Sequence, residues 1–241
     1  MKRIQRPLIA ALTATLVFVA AHSWWQQHGL RHYLASPPAE FAAQIAPPSA
    51  ADSPATRAEL DELLAMQATR TPAQVAAARA DRKTRIERFY GALGIDGNAP
   101  PDLPRLHRLA DRVEDDVRLY VRAAKDRYRR LRPYEIEPRL EPCIDNVRGD
   151  LSYPSGHAAY AYSMAYLLEL LVPERSLQLQ ARADEFARQR MMCGVHFRSD
   201  LDAGRLAARR LLAAMQGNPE FQGDVREAAA ELRGALRLPP R

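Results

Sequence analysis

Hydrophobic residues recur at intervals of three and four positions along much of the chain. The longest such run extends from about Pro104 to Arg130, and its apolar positions fall on one face of a helix. These positions are Leu106, Leu109, Val113, Val117, Tyr120, Val121 and Ala124. A stripe of this kind packs against a core, so we interpret it as structural and not as a ligand-binding face.

Similar patterns predict further helices, separated by prolines and glycines. They are expected at about residues 57–67, 72–92, 156–173, 175–190 and 219–236, with the 175–190 helix continuing through the next segment to about 216. Thr71 is placed to cap the 72–92 helix, with Pro72 in its first turn. The chain has only 11 glycines and is rich in Ala, Leu, Arg and Glu, which favours helix over strand. We therefore predict an all-α fold, a compact multi-helix bundle.

The 241 residues are enough for one sizeable domain. Residues 22–58 are rich in Ala, Pro and Ser. A segment of this composition is expected to bury little surface, so we interpret it as a linker or an arm lying on the domain. The helical domain itself is assigned to residues 59–241.

Residues 1–21, MKRIQRPLIAALTATLVFVAA, have the basic start, apolar run and small final residues of a secretory signal peptide. We predict cleavage after Ala21. The apolar run is shorter than the ~20 residues that span a bilayer. The alternative is an uncleaved anchor, with Trp24 and Trp25 at the membrane interface. We expect a periplasmic or secreted protein, tethered to the inner membrane if the signal is retained, with no membrane span in the mature domain.

The charge of the chain does not indicate a nucleic-acid partner. The formal net charge of +6 falls to +3 without Lys2, Arg3 and Arg6, because residues 1–21 contain no Asp or Glu. The other arginines are interleaved with Glu and Asp along the predicted helices, as on a solvated surface.

The chain contains two cysteines, Cys143 and Cys193. An even pair in an exported protein is a candidate disulfide, and each cysteine lies shortly before a motif described below. Two buried free thiols are the alternative.

Three stretches carry candidate chemistry. The first is RMMCGVHFRSDLDAGR, residues 190–205. If it is helical, His196 and Asp200 share a face at i and i+4, and a carboxylate bonded to one imidazole nitrogen makes the other a better base or nucleophile. Arg190 adds a forked cation suited to an oxyanion, and Gly194 permits a turn shortly before the histidine. The alternative is a surface helix with an incidental ion pair.

The second stretch is Pro-Ser-Gly-His at residues 154–157, a turn into the long apolar helix. Ser155 and Gly156 offer a hydroxyl and backbone N–H groups at a helix N-terminus, where an anion is stabilised. His157 beside them can donate a proton to a leaving oxygen. An ordinary serine cap followed by a packed histidine is the alternative.

The third stretch is KDRYRRLRP at residues 125–133. Basic side chains at a helix C-terminus are stabilised by the helix dipole, which accounts for Arg127, Arg129 and Arg130. It does not account for the spacing of Lys125 and Arg132. We find no glycine-rich nucleotide loop and no cluster with metal-ligand spacing in the sequence.

The three stretches occur in a recognisable order: Lys-x6-Arg-Pro, Pro-Ser-Gly-His, and Arg-x5-His-x3-Asp. This ordered set resembles the superfamily of type 2 phosphatidic acid phosphatases and vanadium-dependent haloperoxidases. Over roughly residues 85–235, SYPSGH and CGVHFRSDLDAGR look most like the bacterial class A non-specific acid phosphatases. One departure is Gln189, which stands where that family usually has Ser before the arginine.

The resemblance implies a metal-free phosphatase without a cofactor, whose active site lies at helix ends in the bundle core. His196 would attack phosphorus and Asp200 would orient its imidazole, while His157 would protonate the leaving alcohol and later deprotonate water. The residues implied to hold the phosphoryl oxygens are Lys125, Arg132, Ser155, Gly156 and Arg190. An acidic optimum is expected if His157 loses its proton near neutrality.

The expected partners are small phosphorylated substrates, with inorganic phosphate or vanadate as inhibitors and a homo-oligomer as an option. Within the same fold, the alternatives are a lipid phosphate phosphatase and a vanadate-dependent haloperoxidase. From a different class, the alternative is a non-catalytic helical interaction module.

Overall fold

A computed structural model describes residues 32–144 and 150–240, and in these ranges the chain forms helices and no strands. The α-helices are α1 (Pro38–Gln44), α2 (Pro54–Thr69), α3 (Pro72–Ala80), α4 (Tyr90–Leu93), α5 (Pro104–Tyr128), α6 (Pro133–Ile136), α7 (Gly156–Leu171), α8 (Ser176–Met192), α9 (Arg198–Met215) and α10 (Pro219–Ala235). Short 3₁₀ helices cover Ile86–Phe89 and Pro173–Arg175. The all-α prediction is confirmed. The predicted signal peptide lies outside the described residues.

Helix α7 lies at the centre of the bundle. Its sequence is apolar on nearly every face, which is the pattern of a helix surrounded by protein. It packs against α5, α8, α9 and α10. The apolar stripe predicted on α5 is buried as expected, and it forms one wall of the same core. Among the described residues no helix is both long and apolar enough to span a membrane.

A glycine on α9 lets that helix touch the start of α7. A Cβ atom at Gly204 would lie 2.7 Å from the carbonyl oxygen of Ser155 and 3.0 Å from the Cβ of Ala158. Such distances are too short for any side chain, so only glycine permits this approach. The contact brings the first turns of α7 and α9 side by side.

The segment predicted to be a linker or arm contributes to the core. Tyr33, Phe41 and Ile45 are buried, and α1 packs on α5. Buried Asp116 of α5 accepts hydrogen bonds from the backbone N–H of Tyr33 (2.8 Å) and from Nδ1 of His32 (2.9 Å). The expectation of little burial was therefore wrong for this part of the segment, because a few large side chains suffice to anchor it.

Two helix predictions were wrong in their extent. The helix expected over 72–92 ends at Ala80, although Thr71 caps it as predicted, in a capping box with Gln74. Residues 81–85, DRKTR, carry four charged side chains and no apolar one, and helical structure resumes only at the buried Ile86. The helix expected to run from 175 to about 216 is broken between α8 and α9, where residues 193–197 form a turn.

The two cysteines are joined in a disulfide between Cys143 and Cys193, across 50 positions of sequence. Of the two alternatives left open by the sequence, the bonded one is therefore found. Because Cys193 directly follows α8, the bond fixes the start of the turn that leads to His196.

Candidate active site

The three sequence motifs meet at the ends of helices around one cavity of about 330 Å³. Lys125 comes from the last turn of α5, and Arg132 directly precedes α6. Gly156 and His157 begin α7, and His196 lies in the turn before α9. All five line the cavity. The site thus lies at helix ends, as expected.

His196 and Asp200 are in contact, but not as two positions on one helix. His196 precedes α9, and Asp200 belongs to its first turn, with 3.1 Å between Nδ1 and Oδ2. The chain reverses between α8 and His196 through Gly194, whose φ of 67° lies in the left-handed region. The N–H of Val195 closes the turn on the carbonyl of Arg190 at 3.0 Å. The predicted pair is present, whereas its predicted helical geometry was wrong.

Asp200 is fully buried and accepts several hydrogen bonds. Ser152 Oγ donates to Oδ2 at 2.5 Å, the N–H of Phe197 donates to Oδ2 at 2.9 Å, and Arg130 Nη1 donates to Oδ1 at 2.7 Å. Burial raises the pKa of Asp200, and the Arg130 charge opposes that shift. These bonds lock the carboxylate in position against the imidazole.

The hydrogen bonds of His196 define its tautomer. Arg132 Nη1 lies 2.8 Å from Nε2, and a guanidinium can only donate, so Nε2 presents its lone pair and Nδ1 carries the proton toward Asp200. Burial, followed by the charges of Arg132 and Lys125, lowers the pKa of His196 well below its usual value. The ring is therefore neutral, as a nucleophile requires.

Lys125 and Arg132 form a cationic pair beside His196. Lys125 Nζ lies 3.1 Å from Oδ1 of Asp150, and Arg132 Nη2 bonds to Oδ2 of the same carboxylate. Burial would raise the pKa of Asp150, but the two cations outweigh it and lower the value. Burial and the charge of Arg132 lower the pKa of Lys125. In the ligand-free protein, the carboxylate of Asp150 therefore binds Lys125 and Arg132, the two cations that were predicted to hold the phosphoryl oxygens.

Arg190 is a buried cation with unused donors. Its side chain is almost fully enclosed, with 1% of the residue exposed, and Nη2 donates to the carbonyl of Ala78 at 2.8 Å. Within the described ranges, Nε and Nη1 are buried and have no hydrogen-bond partner. Burial lowers the pKa of Arg190 to about 10, and Asp81 opposes this shift. Two N–H donors held without an acceptor are suited to an anion that enters the site.

His157 stands at the wall of the cavity. Its Nε2 donates to the carbonyl of Arg82 at 3.0 Å, and its ring stacks on Phe186 with 6.2 Å between centroids. Loss of hydration, followed by the charge of Arg190, lowers the pKa of His157 to about 4. The condition given for an acidic optimum, that His157 loses its proton near neutrality, is not met in the ligand-free protein, because loss of hydration and then the neighbouring cations disfavour the imidazolium.

Of the hydrogen-bond donors predicted at the start of α7, one remains available to a ligand and another is already bonded within the protein. Ser155 caps the helix by accepting from the N–H of Ala158 at 3.3 Å, and its own N–H bonds to the carbonyl of Asp200 at 2.9 Å. The Ser155 N–H is therefore not available to a ligand. Gly156 lines the cavity, and its N–H belongs to the first helical turn, where N–H groups lack intrahelical acceptors.

Comparison with known proteins identifies the family of this chain. The family model for the PAP2 superfamily matches residues 117–218, which contain the three motifs. A non-specific acid phosphatase from Salmonella typhi is 32% identical over 196 residues, which cover 78% of each chain. The chain belongs to the PAP2 superfamily.

Other relatives agree with this assignment over shorter ranges. A non-specific acid phosphatase from Providencia stuartii is 35% identical over 134 residues, so the chain spans 54% of that relative's length. These relatives, all named acid phosphatases, support a phosphatase. A solved PAP2-type phosphatidylglycerolphosphate phosphatase from Bacillus subtilis, described as transmembrane, has a TM-score of 0.51 at 19% identity. The match covers 75% of this chain and 90% of the Bacillus subtilis chain, and the two share the fold.

The PAP2 site also contains residues that the sequence interpretation missed. Arg130, which we had assigned to helix capping, is buried and bonds to Asp200, because α5 ends at Tyr128 and the left-handed Arg129 turns the chain inward. The segment 78–82 supplies carbonyls to both Arg190 and His157. No sequence motif marked that segment; its signal was the interrupted helical pattern after Ala80.

Gln189, the departure from the family pattern, is buried next to Arg190. Its side-chain Oε1 has no hydrogen-bond partner within the described residues. No cluster of three or more His, Cys, Asp or Glu side chains with metal-binding geometry occurs in residues 32–144 and 150–240.

Proposed function

We propose that the protein is an exported acid phosphatase that hydrolyses phosphate monoesters through a phosphohistidine intermediate, without a metal ion. The observation that carries this proposal is the arrangement around His196. A neutral imidazole that lines the cavity is held between Asp200 at Nδ1 and Arg132 at Nε2, and it stands among the cations Lys125, Arg132 and Arg190.

In the first step, Nε2 of His196 attacks the phosphorus atom and the bond to the ester oxygen breaks. The leaving oxygen takes a proton from His157 and departs as an alcohol. Asp200 stabilises the positive charge that the His196 ring acquires, because its carboxylate faces the Nδ1 proton. The in-line displacement leaves a phosphoryl group on Nε2.

In the second step, water attacks the phosphorus atom and transfers a proton to neutral His157. The P–N bond breaks, its electron pair returns to Nε2, and inorganic phosphate is released. His157 is then protonated and ready to act as an acid again. One residue therefore serves as acid and base in turn, as the reversal of the first step requires.

Phosphoryl transfer depends mainly on positioning and on neutralising negative charge. Arg190 and the first-turn N–H of α7 are fixed before substrate binds, so they need little reorganisation, whereas Lys125 and Arg132 first have to exchange Asp150 for the phosphoryl oxygens. In this proposal the two unused donors of Arg190 hold equatorial oxygens. A bound phosphoryl dianion also favours the protonated form of His157, whose pKa is lowered in the ligand-free site by loss of hydration and by those same cations.

The test is hydrolysis of p-nitrophenyl phosphate from pH 4 to 9 in the presence of EDTA. We expect turnover on the acid side, and its loss in His196→Ala. His107→Ala is the matched control, because His107 bonds to Tyr90 and does not line the cavity. Rapid quenching with labelled substrate should trap an acid-labile phosphoryl group on wild-type protein only. Undiminished turnover in His196→Ala would contradict the proposal, as would vanadate-dependent bromide oxidation in its place.

Export is supported by the composition of residues 1–21 and by the disulfide, which is typical of oxidising compartments. We propose a periplasmic or secreted location, with retention at the inner membrane if the signal is not cleaved. Fractionation of expressing cells and N-terminal sequencing of the product test both parts. Recovery in the cytoplasm with an intact N-terminus would contradict export.

A further inference from the structure

The cavity extends beyond the phosphoryl site along one face of α5. Its lining includes Arg118, Arg122 and Lys125, which are separated by four and three positions. This spacing puts the three basic side chains on one helical face. At a rise of 1.5 Å per residue, they are spread over about 10 Å of helix. A row of positive charge therefore leads from Lys125 toward the cavity mouth.

Both arginines at the mouth are available to a ligand. Arg122 is exposed, and the hydrogen bonds and ion pairs found among the described residues do not include it. Arg118 pairs with Asp115, three positions earlier, and both side chains are open to solvent. An exposed pair of this kind is worth little, so a better-placed anion can compete for Arg118.

The far end of this face has the opposite character. Glu114 lines the cavity one turn beyond Arg118, and its Oε1 accepts a hydrogen bond from Thr84 at 2.6 Å. Tyr160 closes the cavity nearby. A carboxyl group at this end disfavours an anion that reaches past Arg118. The positive stretch is therefore short, and it suits a compact substrate.

We propose that this face selects phosphate monoesters whose leaving group carries a second anionic group, a carboxylate or a phosphate. The proposal rests on the proposed phosphatase function and specifies its substrate class. Lys125 and Arg132 hold the scissile phosphoryl group. Arg122, one helical turn from Lys125 and about 5 Å along the axis, binds the second anion, with Arg118 assisting.

A matched pair of substrates tests the proposal. 3-Phosphoglycerate and glycerol 3-phosphate differ only in having a carboxylate or a neutral hydroxymethyl group. We expect wild-type kcat/KM to favour 3-phosphoglycerate by about tenfold at low salt, as a charge-assisted bond allows. The ratio should fall close to one in Arg122→Gln. Arg127→Gln is the control, since Arg127 is an exposed arginine on the same helix, against Tyr128 and outside the cavity.

Binding to the inactive variant His196→Ala separates this proposal from the proposed function. Titration calorimetry would compare phosphonoacetate with 2-hydroxyethylphosphonate, which also differ by a carboxylate against a hydroxymethyl group and are not hydrolysed. We expect about fivefold tighter binding of phosphonoacetate, lost when Arg122→Gln is added. Equal binding of the two, or a preference that survives Arg122→Gln, would overturn the substrate class. A retained binding preference with no turnover of either ester would overturn the phosphatase instead.

Discussion

Arg132 donates a hydrogen bond from Nη1 to Nε2 of His196 at 2.8 Å. The nitrogen proposed to attack phosphorus is thus covered by a cation proposed to hold the phosphoryl oxygens. On its other side, the same guanidinium is bound by the carboxylate of Asp150. In the ligand-free protein, Arg132 is therefore bonded to both His196 and Asp150. An incoming phosphoryl group has to displace these contacts.

The first prediction concerns Asp150, whose carboxylate occupies Lys125 and Arg132. Asp150→Asn should lower the inhibition constant of inorganic phosphate by about fivefold, close to 1 kcal/mol, because the phosphate no longer competes with an internal anion. Steady-state inhibition assays measure this. Asp126→Asn is the control, since it removes an equal charge next to Lys125 from an exposed position. Weaker phosphate binding in Asp150→Asn would indicate that Asp150 positions the cations.

The second prediction concerns acid sensitivity. Burial and nearby cations hold the pKa of His157 at about 4 and that of His196 well below its usual value. In the unfolded chain both histidines take up protons near pH 6.5, so the unfolded state binds more protons and folded stability declines as the pH falls from about 6.5 toward 4. The free energy of unfolding should drop by up to about 1.4 kcal/mol per pH unit for each histidine.

Urea denaturation at a series of pH values measures this decline. His157→Gln should make the slope shallower than it is in wild type. Saturating phosphate should flatten the wild-type curve, because a bound phosphate anion favours both protonated rings. Parallel curves for wild type and His157→Gln would count against a His157 whose pKa is lowered in the folded protein.

The third prediction concerns the contact between α7 and α9. Gly204→Ala places a Cβ atom against the carbonyl of Ser155, so it should cost about 1–3 kcal/mol of stability and reduce kcat/KM by displacing the α7 start from Asp200. Gly234→Ala in α10 has no atom within 4 Å of the new Cβ and should be neutral or stabilising. Thermal denaturation and p-nitrophenyl phosphate assays compare the two. Equal stability of both variants would show that the helices can move apart without cost.

The fourth prediction concerns the disulfide. Replacing Cys143 and Cys193 together by Ser should cost about 2–4 kcal/mol, since the bond closes a long loop, and it should loosen the turn before His196. Thermal melting of wild type with and without dithiothreitol should reproduce the difference. The double variant should be indifferent to the reductant. A reductant effect of the same size in that variant would rule out the bond as its cause.

The sequence predicted the helices best where an apolar stripe determined them. The apolar stripe on α5 and the continuous apolar sequence of α7 each predict a helix in the core, because each has a surface that must be buried. Failures occurred where polar contacts from distant residues decide the path. The chain leaves helix after Ala80, and Asp81 there bonds to Arg88 and Arg182, partners that a local pattern cannot reveal.

In the candidate site, too, local sequence patterns predicted some contacts and missed those that depend on the path of the chain. His196 and Asp200 were paired by their spacing, and they do touch, although the reason is a capped turn and not a helical face. Arg130 carried the same local signal as the exposed Arg127 and Arg129, yet it lies against Asp200. Basic residues next to each other in sequence differ here in burial, and only the direction in which α5 ends distinguishes them.

The hydrogen bonds between Asp116 and residues 32–33 bear on how the protein can be shortened. A recombinant form that begins at residue 59, where the sequence places the domain, would remove both donors to this carboxylate and open it to water. It would also strip α1 from the face of α5 that it covers. The buried side chains of Phe41 and Ile45 would be lost, and at about 1.5–3 kcal/mol for each such side chain this is a large part of the stability of a domain of this size. The segment that looks most dispensable in composition is thus needed for folding, and expression should start upstream of His32.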